Sequence, residues 1–265
     1  LDERPQQVEF AEKVEQLLRE QKTAFIQAQT GLGKTYGYML PALSMENEGG
    51  ILVSVPTKIL QNQIMQEEGS RLKDTFHIDI HSLKGPQNYL KLDNFYKVLH
   101  RPEPNRLFIR FKMQILIWLT ETETGDLDEI GQLYRYQHFL AELVHDGKLS
   151  KKSLFISEDF WQRSQDRAKS SRLLLTNHAY LVTRLEDNPE FVNNRLVIID
   201  EAQKMLIALE NLAQESYLLD DLVTQVEKSL ETEKDLIQRR LLESIGFECR
   251  YLIDQFYSGL KNDKW

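Results

Sequence analysis

The sequence predicts an α/β fold: a mainly parallel sheet with helices on both faces, plus helical insertions. Three observations carry the prediction. Short apolar strands alternate with helical patterns through residues 1–84. The alternation resumes over residues 168–204, and the stretch between the two is polar and helical. Alternating strand and helix favours parallel pairing, because each crossover lays a helix on a sheet face.

Taken in order, Val8, Ala11, Val14, Leu17 and Leu18 recur at helical spacing, and Pro5 stands where a first helical turn tolerates it. Residues 23–27 read as a short buried strand and residues 34–43 as a helix. Residues 51–55 form a second apolar strand, and a helix over 57–68 follows Pro56. In residues 85–167, Leu107, Phe108, Phe111, Ile115, Trp118 and Leu119 share one helical face, and a second helical pattern runs over 133–144. Residues 172–176 and 196–199 are apolar strands. From residue 205 to 265 the chain is helical again. Leu218, Leu219, Leu222, Val226 and Leu230 form one stripe, and Leu241, Leu242 and Ile245 another. Core packing is the reading given to these stripes.

Composition excludes several classes. At 265 residues, 41% hydrophobic and 28% charged, the chain is globular rather than disordered or fibrous. A net charge of -8 excludes a histone-like basic binder, although a local cationic groove stays open. One cysteine, Cys249, precludes an internal disulfide and suits a reducing cytosol, so a cytoplasmic location is expected. The most apolar run, residues 111–119, is too short to span a bilayer, so no membrane is expected as partner. The chain begins without Met and reads as excised from a longer one.

The strongest motif is Ala28-Gln29-Thr30-Gly31-Leu32-Gly33-Lys34-Thr35, between a predicted strand and a predicted helix. Glycines let successive N–H groups turn toward phosphate oxygens, and the helix N-terminus adds positive potential. Lys34 supplies a mobile ammonium, and the Thr35 hydroxyl is suited to Mg²⁺. Its partner is Val197-Ile198-Ile199-Asp200-Glu201-Ala202-Gln203, an apolar strand delivering two carboxylates at its C-terminal end. Asp200 is the expected holder of Mg²⁺, and Glu201 the expected base that orients and deprotonates the attacking water. The competing reading of this pair is an acidic turn capping the next helix.

Together these motifs resemble superfamily 2 helicases, whose acidic box reads DEAH where this chain has DEAQ, Gln203 replacing His. Three further segments resemble the DinG/XPD branch. Arg4-Pro5-Gln6-Gln7 is similar to its adenine-reading segment, with Gln7 as the base contact. Ser54-Val55-Pro56-Thr57-Lys58-Ile59-Leu60-Gln61 is similar to its motif Ia, and Thr176-Asn177-His178-Ala179-Tyr180-Leu181 to the segment preceding its acidic box. The resemblance implies a RecA-like motor lobe binding Mg-ATP through Arg4, Gln7, Thr30, Gly31, Leu32, Gly33, Lys34 and Thr35. It implies catalysis by Lys34, Asp200 and Glu201, and single-stranded DNA bound by Thr57, Lys58, Gln61, Asn177 and His178. For Gln7 and His178 an ordinary packing role is the competing reading.

The branch inserts an iron–sulfur domain between motif Ia and the acidic box. Here residues 84–91 resemble the entry to that domain, but Lys91 stands where a cysteine ligand would follow Leu90. Residues 157–161 resemble the exit, again without cysteine, so no iron–sulfur cluster is expected. Residues 205–265 match the start of the branch's arch domain. Nothing after Gln203 resembles the second motor lobe. The parent is therefore expected to carry that lobe and, as cluster-free members do, an N-terminal exonuclease domain. Two rival readings compete: another phosphate-loop NTPase, disfavoured because no Asn-Lys-x-Asp is present, and a helical scaffold with a vestigial site, disfavoured by the intact Lys34, Thr35, Asp200 and Glu201. Within the helicase reading, an ATPase module that regulates a fused 3'-5' exonuclease is the alternative to duplex unwinding.

Overall fold

A computed structural model describes residues 5–29, 31–45, 49–102, 105–131, 136–150, 152–213 and 219–262. Two units are present, Leu1–Glu210 and Asn211–Trp265. Arg4 and Thr30, two of the expected nucleotide contacts, lie outside the described residues, as does Leu218.

In the first unit β1 (Ile51–Val55), β2 (Ile80–Ser82), β3 (Leu173–Asn177) and β4 (Leu196–Ile199) pair in the order β2-β3-β1-β4, every pairing parallel. In register, Ile51 lies beside both Leu173 and Leu196. Side chains alternate faces along a strand. Ile51, Val53, Val55, Leu173 and Leu175 accordingly meet Tyr38, Met39 and Ala42 of α2 (Lys34–Ser44; α1 is Pro5–Arg19) and Ile64 of α3 (Lys58–Ile64). Leu52 and Leu174 face the other way, onto Ala168 and Leu181. Both faces are covered, which is why these strands read as unbroken apolar runs. Each buried aliphatic side chain contributes about 1.5–3 kcal/mol. After α3 a π-helical turn, Met65–Gly69, leads into α4 (Ser70–Phe76).

One expected strand is absent. Residues 23–27 adopt no regular structure and Phe25 is 95% exposed. Among the described residues the sheet ends at β4, which pairs with β1 alone, and Val197 and Ile199 remain 37% and 38% exposed. Apolar composition signals burial only where a partner strand supplies hydrogen bonds, and this segment has none. Conversely, β2 was not anticipated: Ile-His-Ser is too short and polar to stand out.

Between β2 and β3 lie α5 (Leu92–His100), α6 (Arg106–Trp118), α7 (Gln137–Leu140) and α8 (Phe160–Ser170). The pattern over 133–144 yields only the short α7 within the described residues. These helices enclose their own core: Phe95, Phe108, Phe111, Ile115, Leu127 and Leu143 are buried, with Trp118 packed at its margin. Phe108 stacks on Phe139 and Phe111 on Tyr136, each at 4.2 Å. Polar groups staple the ends. Lys91 Nζ donates to Asp146 Oδ1 at 2.5 Å and to the Lys148 carbonyl at 3.0 Å. Asp159 caps α8 through the Gln162 amide and accepts from His145 Nε2 at 3.1 Å. The Gly147 amide donates to His145 Nδ1, which makes Nε2 the protonated nitrogen.

Past β3 come α9 (His178–Asp187) and, after β4, α10 (Met205–Ala213). In the second unit α11 (Leu219–Thr232) packs on α12 (Leu236–Asn262), burying Val226 and Cys249. Gly246 lets the helices close in, since a Cβ there would lie 3.2 Å from Val226 Cγ1. Among the described residues no helix is long and apolar enough to cross a membrane.

Candidate functional site

Parallel pairing brings the C-terminal ends of β1, β3 and β4 to one edge, so Thr57, Asn177 and Asp200 all emerge there. The glycine loop arrives beside them at the N-terminus of α2. Gly31 and Gly33 both have φ of +82°, a region that side chains with a Cβ enter only under strain. Gly33 is doubly constrained: Gln7 Nε2 donates to its carbonyl at 2.9 Å, and a Cβ there would lie 2.4 Å from that nitrogen. Gln7 thus ties α1 to the loop. A cavity of about 310 Å³ opens between them, lined by Gln6, Phe10, Ile26, Gln29 and Leu32.

Across the loop stand the two carboxylates. The Asp200 amide donates to the Ser54 carbonyl at 2.9 Å, carrying the sheet ladder one residue past β4. Glu201 turns out of the strand in the left-handed region, with φ 50° and ψ 51°. That conformation is uncommon for a residue bearing a Cβ and often marks a functional site. Lys204 Nζ lies 2.7 Å from Glu201 Oε2 and holds its carboxyl below the usual range; partial burial opposes this, while Lys34 and His178 add to it.

Tyr38, unremarked in the sequence, links loop and box. Its hydroxyl donates to Asp200 Oδ2 at 3.2 Å, and Thr35 stands one helical turn earlier on the same face of α2. Burial, followed by the Asp200 charge, pushes the phenol well above its ordinary value, so it stays a donor. α2 thereby carries both the Thr35 hydroxyl and the phenol that holds the Asp200 carboxylate. These hard oxygens suit Mg²⁺, which takes one or two protein groups together with substrate phosphates. No group of three or more His, Cys, Asp or Glu able to hold a metal occurs among the described residues.

The expected strand contacts divide into two sets. Thr57 and Lys58 are exposed at the start of α3, where Thr57 Oγ1 accepts from the Leu60 amide. Gln61, Asn177 and His178, expected as contacts to the nucleic acid, lie within the fold: they are 0%, 6% and 0% exposed. Gln61 Nε2 donates to Ser82 Oγ and to the Leu83 and Leu175 carbonyls, while Gln61 Oε1 accepts from Asn177 Nδ2 at 3.1 Å. Asn177 Oδ1 caps α9 through the Tyr180 amide. His178 Nδ1 bonds Ser54 Oγ at 2.8 Å, and burial holds the ring below its ordinary pKa against the pull of Asp200 and Glu201. Gln61 and Asn177 thus meet their polar needs inside the fold, whereas His178 is held by the Ser54 side chain and its Nε2 is buried with no hydrogen-bond partner.

Lys58 has a seat that spacing did not reveal. Its ammonium donates to Asn88 Oδ1 at 2.6 Å and lies 3.8 Å from Asp128 Oδ1. Asp128 in turn accepts from Lys84 at 3.0 Å, and Lys84, 2% exposed, also bonds Asp126. The buried lysine balances the two carboxylates, leaving the neighbouring Lys58 partly free.

The DEAD/DEAH box helicase family model matches residues 5–121. A Staphylococcus saprophyticus protein named 3'-5' exonuclease DinG is 30% identical over 91% of this chain and 28% of its own length. The Bacillus subtilis protein of the same name is 32% identical over 76% of this chain and 22% of its length. The chain thus spans about a quarter of the length of the curated relatives it matches. A solved chain titled "Truncated XPD" is similar at a TM-score of 0.49 and 15% identity, covering 88% of this chain and 62% of that one.

Proposed function

Because this chain contains a DinG/XPD-like superfamily 2 helicase domain, a partial span of a larger DinG-type protein, we propose that it binds Mg-ATP at the loop and acidic box and single-stranded DNA along the neighbouring sheet edge. The observation that carries the reading is the bond from Tyr38 of the helix that follows the glycine loop to Asp200 of the acidic box, which joins the two motifs at one sheet edge.

The glycine loop and the α2 N-terminus offer amide hydrogens to phosphate oxygens, and Lys34 places its ammonium on the outer ones. Bound Mg²⁺ supplies charge neutralisation on the transferring phosphoryl group. Thr35 and Asp200 are the groups that would hold it. Glu201 orients the attacking water and accepts its proton. The cavity between α1 and the loop has apolar walls from Phe10, Ile26 and Leu32, with amides from Gln6 and Gln29, a chemistry suited to a nucleobase. Thr57 and Lys58 make the contacts to the DNA backbone. Gln61, Asn177 and His178 support that edge from below. A single cysteine cannot furnish the four thiolates of an iron–sulfur cluster, so the proposal includes none.

A second reading is favoured by the printed name of the relatives, 3'-5' exonuclease DinG. In it the lobe is an ATPase module regulating a nuclease in the parent chain rather than unwinding duplex. Both readings need the same nucleotide site, so one experiment tests their common ground. Calorimetry with Lys34→Ala is expected to show no detectable ATP binding, because the variant removes the mobile cation on the outer phosphates. Unchanged affinity would sink the assignment.

A further inference from the structure

We propose that Tyr38 is a positioning residue that pre-sets the magnesium site by holding the Asp200 carboxylate in place before nucleotide arrives. The inference rests on the nucleotide reading above and assigns a role to a residue outside both motifs. Tyr38 is 5% exposed, its ring packed in the core between α2 and the sheet, so its hydroxyl has little freedom to leave. That hydroxyl donates to Asp200 Oδ2 at 3.2 Å. Thr35 and Tyr38 are i, i+3 on α2 and share a face, so one helical turn delivers both groups. Asp200 is reached from a residue 162 positions earlier, across the sheet's end.

The geometry has a chemical consequence. Asp200 follows β4, whose far edge is open among the described residues, and the residue after it turns left-handed. The Tyr38 bond occupies one carboxylate oxygen and leaves the other for the metal. Groups that orient a metal-holding carboxylate in this way typically change metal affinity by roughly 10–100-fold when removed.

The test uses Tyr38→Phe, which keeps the buried ring and removes only the hydroxyl. Calorimetry with a non-hydrolysable ATP analogue is run in EDTA and across a Mg²⁺ titration. The variant is expected to match wild type in EDTA and to need roughly tenfold more Mg²⁺ for half-maximal enhancement of analogue binding. Its melting temperature should be close to that of wild type, which separates positioning from general loosening. A double-mutant cycle adds a second readout. Tyr38→Phe combined with Asp200→Asn should be no worse than Asp200→Asn alone, because Tyr38 acts through that carboxylate. An unshifted Mg²⁺ midpoint in Tyr38→Phe, or strictly additive losses, overturns the proposal while leaving the nucleotide reading intact. Failure of wild type to bind the analogue in either medium overturns both.

Discussion

Backbone freedom and hydrogen-bond direction decide what single positions do in this protein. Gly33 shows the first. At φ +82° a side chain there is strained, and a Cβ would have to displace the Gln7 amide. Gly33→Ala is expected to strain the loop by about 1–2 kcal/mol from the backbone alone and to displace Gln7. ATP affinity measured by calorimetry should fall at least about tenfold. Gly31, with the same φ but open space around it, should be the milder position. His178 shows the second: its Nδ1 is engaged by Ser54 and it is fully enclosed, so its contribution is to the seam between β1 and α9.

Elements carry two further expectations. The helical stretch between β2 and β3 has its own aromatic core, with Phe111 fully buried and stacked on Tyr136. Phe111→Ala should cost about 3–5 kcal/mol, read by denaturant unfolding. Nucleotide binding should persist wherever the variant remains folded, since Phe111 belongs to a different core from the loop. At the contact between β2 and α8, His81 bonds Ser164 at 2.8 Å, and burial, followed by the Arg167 charge, lowers its pKa to about 4. Between its ordinary value and 4 the unfolded chain binds the proton that the fold refuses. Its stabilisation is therefore complete above about pH 6.5 and is lost as the pH falls toward 4. His81→Gln should flatten that slope, by at most about 1.4 kcal/mol per pH unit, in unfolding series run from pH 7 to 4.5. An unchanged slope would remove His81 as its source.

On the scale of the whole molecule, the question is how much of a motor resides in this span. Phosphoryl transfer is accelerated mainly by charge placed around the transferring group, and an arginine supplied from another element is worth roughly 10³–10⁵ in rate. The resemblance assigns that arginine to a second lobe. This chain is therefore expected to bind nucleotide while turning it over far more slowly than a chain extended through the further length its relatives possess. Steady-state hydrolysis with and without single-stranded DNA compares the two. Equal DNA-stimulated turnover would show that the present span is already a complete motor. Net charge of -8 and the proposed strand contact through Thr57 and Lys58 also predict weak DNA binding that falls with salt.

The local chemistry was legible in the sequence: a glycine loop before a helix, an apolar strand ending in Asp200 and Glu201, and the apolar runs that became β1, β3 and β4. These signals are short-range, because glycine conformation, helix start and strand burial are set within a few residues. Long-range pairing was not legible. Residues 23–27 have strand-like composition but no partner, and Gln61, Asn177 and His178 resemble surface contacts until the groups around them are known. Tyr38 meets Asp200 across 162 positions, and Lys84 meets Asp128 across 44. No periodicity marks such pairs. The packing of helices onto a parallel sheet creates them, by bringing residues distant along the chain within hydrogen-bond reach.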